Sequence, residues 1–231
     1  PPSNPSVYEA KARLALSSPC PVILFAAITR DSEPWQDLPY KAYMEREPSG
    51  LSFANWKEME TTLARYRGRR TFFHAEDPEI LARFSSRGPR WKTRPPDAEI
   101  SAVARVLELT TRFGLRSHIC HISTEGAVRL VEDYNRNSSS RVTSEVTPHH
   151  LFFSVDEAGV RSAAGGAVPA ADLLECNPPL RPESDRRFLV EALREGLVDA
   201  LATDHAPHTL NDKQNGAPGM PHLDTVGPFV G

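Results

Sequence analysis

The chain has 231 residues, 25% of them charged, and a formal net charge of −3, which suffices for the core of one domain near the low end of what one (β/α)8 barrel needs, roughly 200 to 250 residues. The charge is spread without long runs of one sign, which excludes the basic footprint of a nucleic-acid binder or a polybasic membrane patch and points to a small-molecule partner. No stretch approaches the roughly 18 apolar residues of a membrane span and no basic-then-apolar start resembles a signal peptide, so a soluble, cytoplasmic protein is expected.

The first predicted element is a helix over 6–16 with Val7, Ala10, Leu14 and Ala15 on one stripe. Residues 22–28 form an uninterrupted apolar run bounded by Pro21 and Arg30-Asp31, the pattern of a strand buried on both faces. A strand over 40–44 follows, then a loop over 45–51 containing Pro48 and Gly50, and a helix over 53–66 that Ser52 would cap. After a strand over 71–75 comes a broken helical region with a polar, Pro-rich insertion over 87–96. A helix resumes at Asp97, with Ile100, Val103, Ala104, Leu107 and Thr111 at three-to-four spacing, and Gly114 ends it.

Further units are a strand over 117–122 with a helix over 125–135, and a strand over 141–146 running into Pro148-His149-His150. A Gly/Ala-rich loop over 158–171, a short run over 173–176, a helix over 182–197 and a strand over 199–203 complete the series, and the tail from His205 reads as loop. Strands alternating with helices predict a parallel sheet. The fold class is therefore α/β, one domain over 1–231: an incomplete (β/α)8 TIM-type barrel, two strands short of closure. Cys20, Cys120 and Cys176 are far apart and free of any C-x-x-C pattern, so they read as reduced, small buried residues. The 21 prolines are scattered as loop punctuation.

Lys41, His74, His121 and Asp204 each fall at or near the carboxyl end of a different predicted strand. In a parallel barrel that rim is where side chains converge on the active site. A lone strand-end histidine is more often a hydrogen-bonded structural residue, and a lone aspartate more often a cap. Four together argue for a site. Imidazoles with a carboxylate suit zinc or a similar divalent ion, whereas an ammonium has no lone pair, so Lys41 would need chemical modification to join them.

His74-Ala75-Glu76-Asp77, His118 through Thr124, Glu145 through Leu151, Asn177-Pro178-Pro179-Leu180-Arg181 and above all Asp204-His205-Ala206-Pro207-His208-Thr209 resemble the dihydroorotases of the amidohydrolase superfamily, in that family's order and at compatible spacing. The last motif is the most specific, because hydantoinases and allantoinases usually carry a different pattern after the aspartate. The resemblance implies a zinc-dependent cyclic amide hydrolase that interconverts dihydroorotate and N-carbamoyl-L-aspartate in pyrimidine biosynthesis. Lys41 matches the lysine carboxylated to a carbamate that bridges two zinc ions. His74 and His121 match histidines that bind one of them. Asp204 matches the aspartate that contacts the other and acts as general base, then returns the proton to the leaving nitrogen. Asn177 and His208 match positions that hold the substrate.

The loop over 45–51 is a candidate lid. Strand alternation sends His118 to the face opposite His121, which makes it structural. His149 and His150 read as motif residues without a metal role, and His205 as a loop-orienting one. His222 stands where the family commonly has glycine.

The sequence departs from the family in lacking the first strand's His-x-His pair and the arginine after it, and an asparagine on the second strand. Pro1-Pro2 resembles the turn after that second strand, so truncation of two strands, and of helices after Asp204, is expected, with poor activity for the segment alone. Two other readings stand beside this one: a hydantoin- or allantoin-opening enzyme, and a non-catalytic dihydroorotase-like domain that scaffolds a pyrimidine-pathway complex. Either enzyme could also be a homo-oligomer.

Overall fold

The structure is a computed structural model that describes residues 1–44, 51–53, 55–84, 88–157, 159–165 and 168–221. In chain order the elements are α1 (Pro5–Ala15), β1 (Ala26–Ala27), β2 (Tyr40–Tyr43), α2 (Trp56–Leu63), β3 (Arg70–His74), α3 (Pro78–Arg83), α4 (Arg90–Thr93), α5 (Pro96–Phe113) and β4 (Arg116–Ile119). They continue with α6 (Glu125–Asn137), β5 (Thr143–Val146), α7 (Pro148–Phe152), β6 (Phe153–Asp156), β7 (Gly159–Ser162), α8 (Glu183–Arg194), β8 (Ala200–Leu201) and α9 (Leu210–Gln214).

All six predicted strands are present in one sheet, in the order β1-β2-β3-β4-β5-β8 and parallel throughout. The sheet ends at β1 and β8, each with one neighbour among the described residues. Helices cover it because their local chemistry starts and stops them on time. Helix α5 opens on Pro95-Pro96 with Asp97 and Glu99 in its first turn, where carboxylates favour the helix dipole, and closes on Gly114 at φ 62°, a left-handed cap that costs glycine little. Helix α6 is capped by Thr124, whose side chain accepts from the Ala127 N–H. The main core lies between these helices and the sheet and includes Tyr40, Tyr66, Phe73, Val103, Leu109, Ile119 and Leu189.

Register decides what meets at the site. Lys41, Phe72, His118 and Thr143 lie in one row across β2 to β5. Side chains alternate along a strand, so Tyr43 and His74, which pair one step further along, share that face. Glu145, paired with Ala200, shares it too.

Several local expectations are corrected. Only Ala26–Ala27 of the run 22–28 is strand, and Val22 and Ile23 are 46% and 77% exposed. The ladder starts where Ala26 donates to the Pro39 carbonyl, and Pro39 has no N–H to extend it backwards. Helix α1 buries none of its residues; Leu14 of the expected stripe is 73% exposed, and Tyr8 instead packs edge-on against Trp35. Asn55, not Ser52, caps α2, since Ser52 is bridged to Tyr43. In α5 the buried stripe runs through Ala98, Ala102, Val106, Leu109 and Phe113 as well as Val103 and Leu107, leaving Ala104 and Thr111 exposed.

An antiparallel hairpin, β6–β7, occupies the start of what reads as the Gly/Ala-rich loop. The run 173–176 begins as the end of a 3-10 turn over Ala171–Leu174. The tail forms α9 behind a Thr209/Asp212 capping box. Cys20 is exposed, while Cys120 and Cys176 are buried as expected. Residues 45–50 of the candidate lid, and His222, lie outside the described residues.

Candidate metal centre

His74 is the last residue of β3, Lys41 lies in β2, and His121 and Asp204 follow β4 and β8. His121 and Asp204 adopt left-handed backbone, at φ 37° and 46°, a conformation that disfavours non-glycine residues by roughly 1–2 kcal/mol. That turn breaks strand alternation. His118 therefore does not sit opposite His121: it shares the row of Lys41, while His121 is close enough to Lys41 and His74 for both to disfavour its protonation. The structural reading of His118 fits its local contacts, with Nδ1 at 2.8 Å from Thr143 Oγ1 and Nε2 at 3.1 Å from Glu145.

His74 Nδ1 lies 3.1 Å from His121 Nε2, and both residues are buried. The other nitrogen of His74 contacts Glu76 Oε2 at 2.9 Å, and Arg94 donates to both oxygens of that carboxylate. Burial works to raise the Glu76 pKa, but Arg94 and His74 outweigh it and hold the carboxyl down to about 2. Burial, reinforced by the charges of His74 and Lys41, drives the His121 imidazolium well below its ordinary range, so the ring is neutral and has a lone pair to offer.

His121 Nδ1 is buried with no hydrogen-bond partner among the described residues. Two imidazole nitrogens on one tetrahedral zinc, each at roughly 2.0–2.1 Å from the ion, stand about 3.3 Å apart. The observed pair fits that spacing, and the neutral His121 ring fits the metal.

Lys41 and Asp204 bear on the pair through their charges. Burial opposes the Lys41 ammonium, yet Cys120, Tyr43 and Glu145 more than compensate and its pKa is raised. Burial also pushes the Cys120 thiol up to about 11. The Asp204 carboxyl is shifted upward, desolvation outweighing Lys41 and His74, even though the residue as a whole is exposed at the rim. Thus Lys41 and Asp204 act electrostatically on the histidine pair, and of the four predicted residues it is His74 and His121 that are in direct contact. Asn177 and His208 do not join them directly: Asn177 Oδ1 accepts from Arg90 at 3.0 Å, and His208 is exposed beside Gly219.

Two further groups of potential ligands come together among the described residues. His118, Cys120 and Glu145 offer ligand atoms within 4.8 Å of one another, as do His149, His150 and Cys176. In the second group His150 is already engaged through both nitrogens, Nδ1 with Thr147 Oγ1 at 2.7 Å and Nε2 with the Pro178 carbonyl at 3.2 Å. Glu145 could have been found from its place at a strand end, in line with the rule that picks out the other four. Glu76 and Arg94 carry no such signal.

No family model matches the sequence. Among curated proteins, the dihydroorotase of Pyrococcus abyssi is 36% identical over 186 residues, 80% of this chain and 40% of that protein. The dihydroorotase of Archaeoglobus fulgidus is 37% identical over 175 residues, 76% of this chain and 37% of its own length. This chain is a relative of the dihydroorotases. It spans about 40% of the length of the first of these curated relatives.

Solved structures agree on the fold. A dihydroorotase from Saccharomyces cerevisiae in complex with 5-fluoroorotic acid superposes at a TM-score of 0.73 over 100% of this chain and 66% of that one, at 19% identity. A D-hydantoinase from Thermus sp. gives 0.67 over 83% of this chain and 45% of that one, at 22% identity. The α/β architecture of parallel strands and covering helices is thus the fold of these two solved structures.

Proposed function

We propose that the protein is a zinc-dependent cyclic amide hydrolase acting on dihydroorotate, in the cytoplasmic synthesis of pyrimidines. The observation that carries the reading is the approach of His74 Nδ1 to His121 Nε2 at 3.1 Å, with Lys41 and Asp204 acting electrostatically on that pair. Likeness to curated dihydroorotases over four-fifths of the chain supports the substrate.

His74 and His121 would hold one zinc ion through neutral nitrogens, and Asp204 would contact a second. Lys41, carboxylated to an anionic carbamate, would bridge the two. Bound there, zinc supplies hydroxide near neutral pH and polarises the amide carbonyl. Asp204 then takes the proton released on attack and returns it to the leaving nitrogen, work suited to a carboxyl whose pKa is raised. Asn177, held by Arg90, and His208, on the segment after Asp204, would orient the substrate.

Zinc-loaded protein assayed on dihydroorotate, hydantoin and allantoin tests this reading. Weak turnover of dihydroorotate alone, in keeping with a chain without the His-x-His pair, and lost in His121→Ala, is the expected result. Turnover of the five-membered rings alone would assign a hydantoinase or allantoinase, and zinc binding with no hydrolysis of any ring would assign a non-catalytic scaffold.

A further inference from the structure

Behind His74 runs a buried relay of side chains. Glu76, 0% exposed, lies just past β3 on the same segment as His74. Arg94 reaches it from the short link between α4 and α5, donating through Nε to Oε1 at 3.1 Å and through its terminal nitrogen to Oε2. The Arg94 carbonyl accepts from Arg181 at 2.6 Å, and Arg181 also donates to Ser123 Oγ at 2.9 Å. The fork on Glu76 is therefore braced against the loop that carries His121.

An ionised carboxylate only accepts hydrogen bonds. With His74 Nε2 at 2.9 Å from Glu76 Oε2, that nitrogen carries the ring proton, and the lone pair is left on Nδ1, the atom facing His121 Nε2. A carboxylate in this position fixes the tautomer of a metal-binding histidine and strengthens it as a donor.

We propose that Glu76, locked in place by Arg94, is a positioning residue that holds His74 in its Nε2–H tautomer and aims the Nδ1 lone pair at the metal. The inference rests on the reading of His74 and His121 as ligands. It also accounts for the proline-flanked stretch from Pro89-Arg90 to Pro95-Pro96, which delivers one guanidinium to the back of the site.

Ring nitrogen-15 spectra of the protein without added metal, and zinc affinity measured against a competing chelator, test the proposal. His74 protonated at Nε2 in the unaltered protein is expected. Zinc affinity should fall about 10- to 100-fold in Glu76→Gln, with the far-ultraviolet circular dichroism unchanged and a smaller fall in Arg94→Lys. Should the single variant fail to fold with Arg94 left unpaired, the double variant Glu76→Gln, Arg94→Gln removes both buried charges and should bind zinc equally poorly. Zinc affinity that depends on His121 but not on Glu76 would overturn this proposal alone, as would a His74 proton on Nδ1. Zinc affinity indifferent to His121→Ala would overturn the ligand reading beneath it.

Discussion

Replacing Asp204 by Asn is expected to lower the turnover of dihydroorotate by about 10²- to 10⁴-fold, the usual worth of a positioned general acid-base group. The variant keeps the shape, loses the site that takes a proton, and replaces one acceptor oxygen with an NH2 donor, which also weakens the contact to the second zinc ion. In the structure the carboxyl stands at the rim, its pKa raised by desolvation against the pull of Lys41 and His74. His74 and His121 are untouched, so zinc bound through them should remain while the rate collapses. Steady-state rates beside the zinc content of the same preparation separate the two effects. A loss under about tenfold would move proton transfer to another residue. A loss of more than the second zinc ion in step with the rate would mean that Asp204 holds the histidine site together and not the proton alone.

Glu99→Ala should destabilise the fold by about 3–5 kcal/mol, because it leaves a buried cation without its partner. Glu99 is 1% exposed on α5 and accepts from the Ser123 N–H at 2.8 Å, the Thr124 N–H at 3.2 Å and both hydroxyls of that pair. Arg181 lies 3.5 Å away with 2% of its side chain exposed. The same carboxylate thus satisfies N–H groups at the start of α6 and neutralises the arginine that holds the Arg94 carbonyl. Chemical denaturation of the variant against the unaltered protein measures the loss. The double variant Glu99→Gln, Arg181→Leu should recover part of it, since it removes both charges together. A cost below about 1 kcal/mol would mean that water reaches this pair and that it behaves as a surface salt bridge.

The sheet is legible in the sequence because each parallel strand announces itself as a short apolar or aromatic run between helices of clear period. Its edge is not. The run from Val22 to Ile28 is apolar enough for a central strand, but Pro39 in the neighbouring segment withholds the donor that would extend the ladder. Hairpin β6–β7 is hidden by the Gly/Ala-rich composition after it, and its pairing of Phe153 with Ser162 is tertiary information. Among the helices, residue type alone misplaces the start of α2 because Ser52 and Asn55 are equally good caps, and the bridge from Tyr43 claims Ser52.

Lys41, His74, His121 and Asp204 are legible for one shared reason, their place at strand ends. Alternation puts His118 on the wrong face because it assumes extended backbone, and the chain turns left-handed at His121. Arg94 could not be anticipated at all: its meeting with Glu76 spans a stretch that reads as a polar insertion.

A crystal structure of the zinc-loaded protein with anomalous data at the zinc edge tests the convergence of these four residues most directly. The expected result is zinc bonded to His74 Nδ1 and His121 Nε2 at roughly 2.0–2.1 Å, with Lys41 and Asp204 turned to the same centre. Zinc held instead by His149, His150 and Cys176, or Lys41 and Asp204 facing away from the histidine pair, would contradict it.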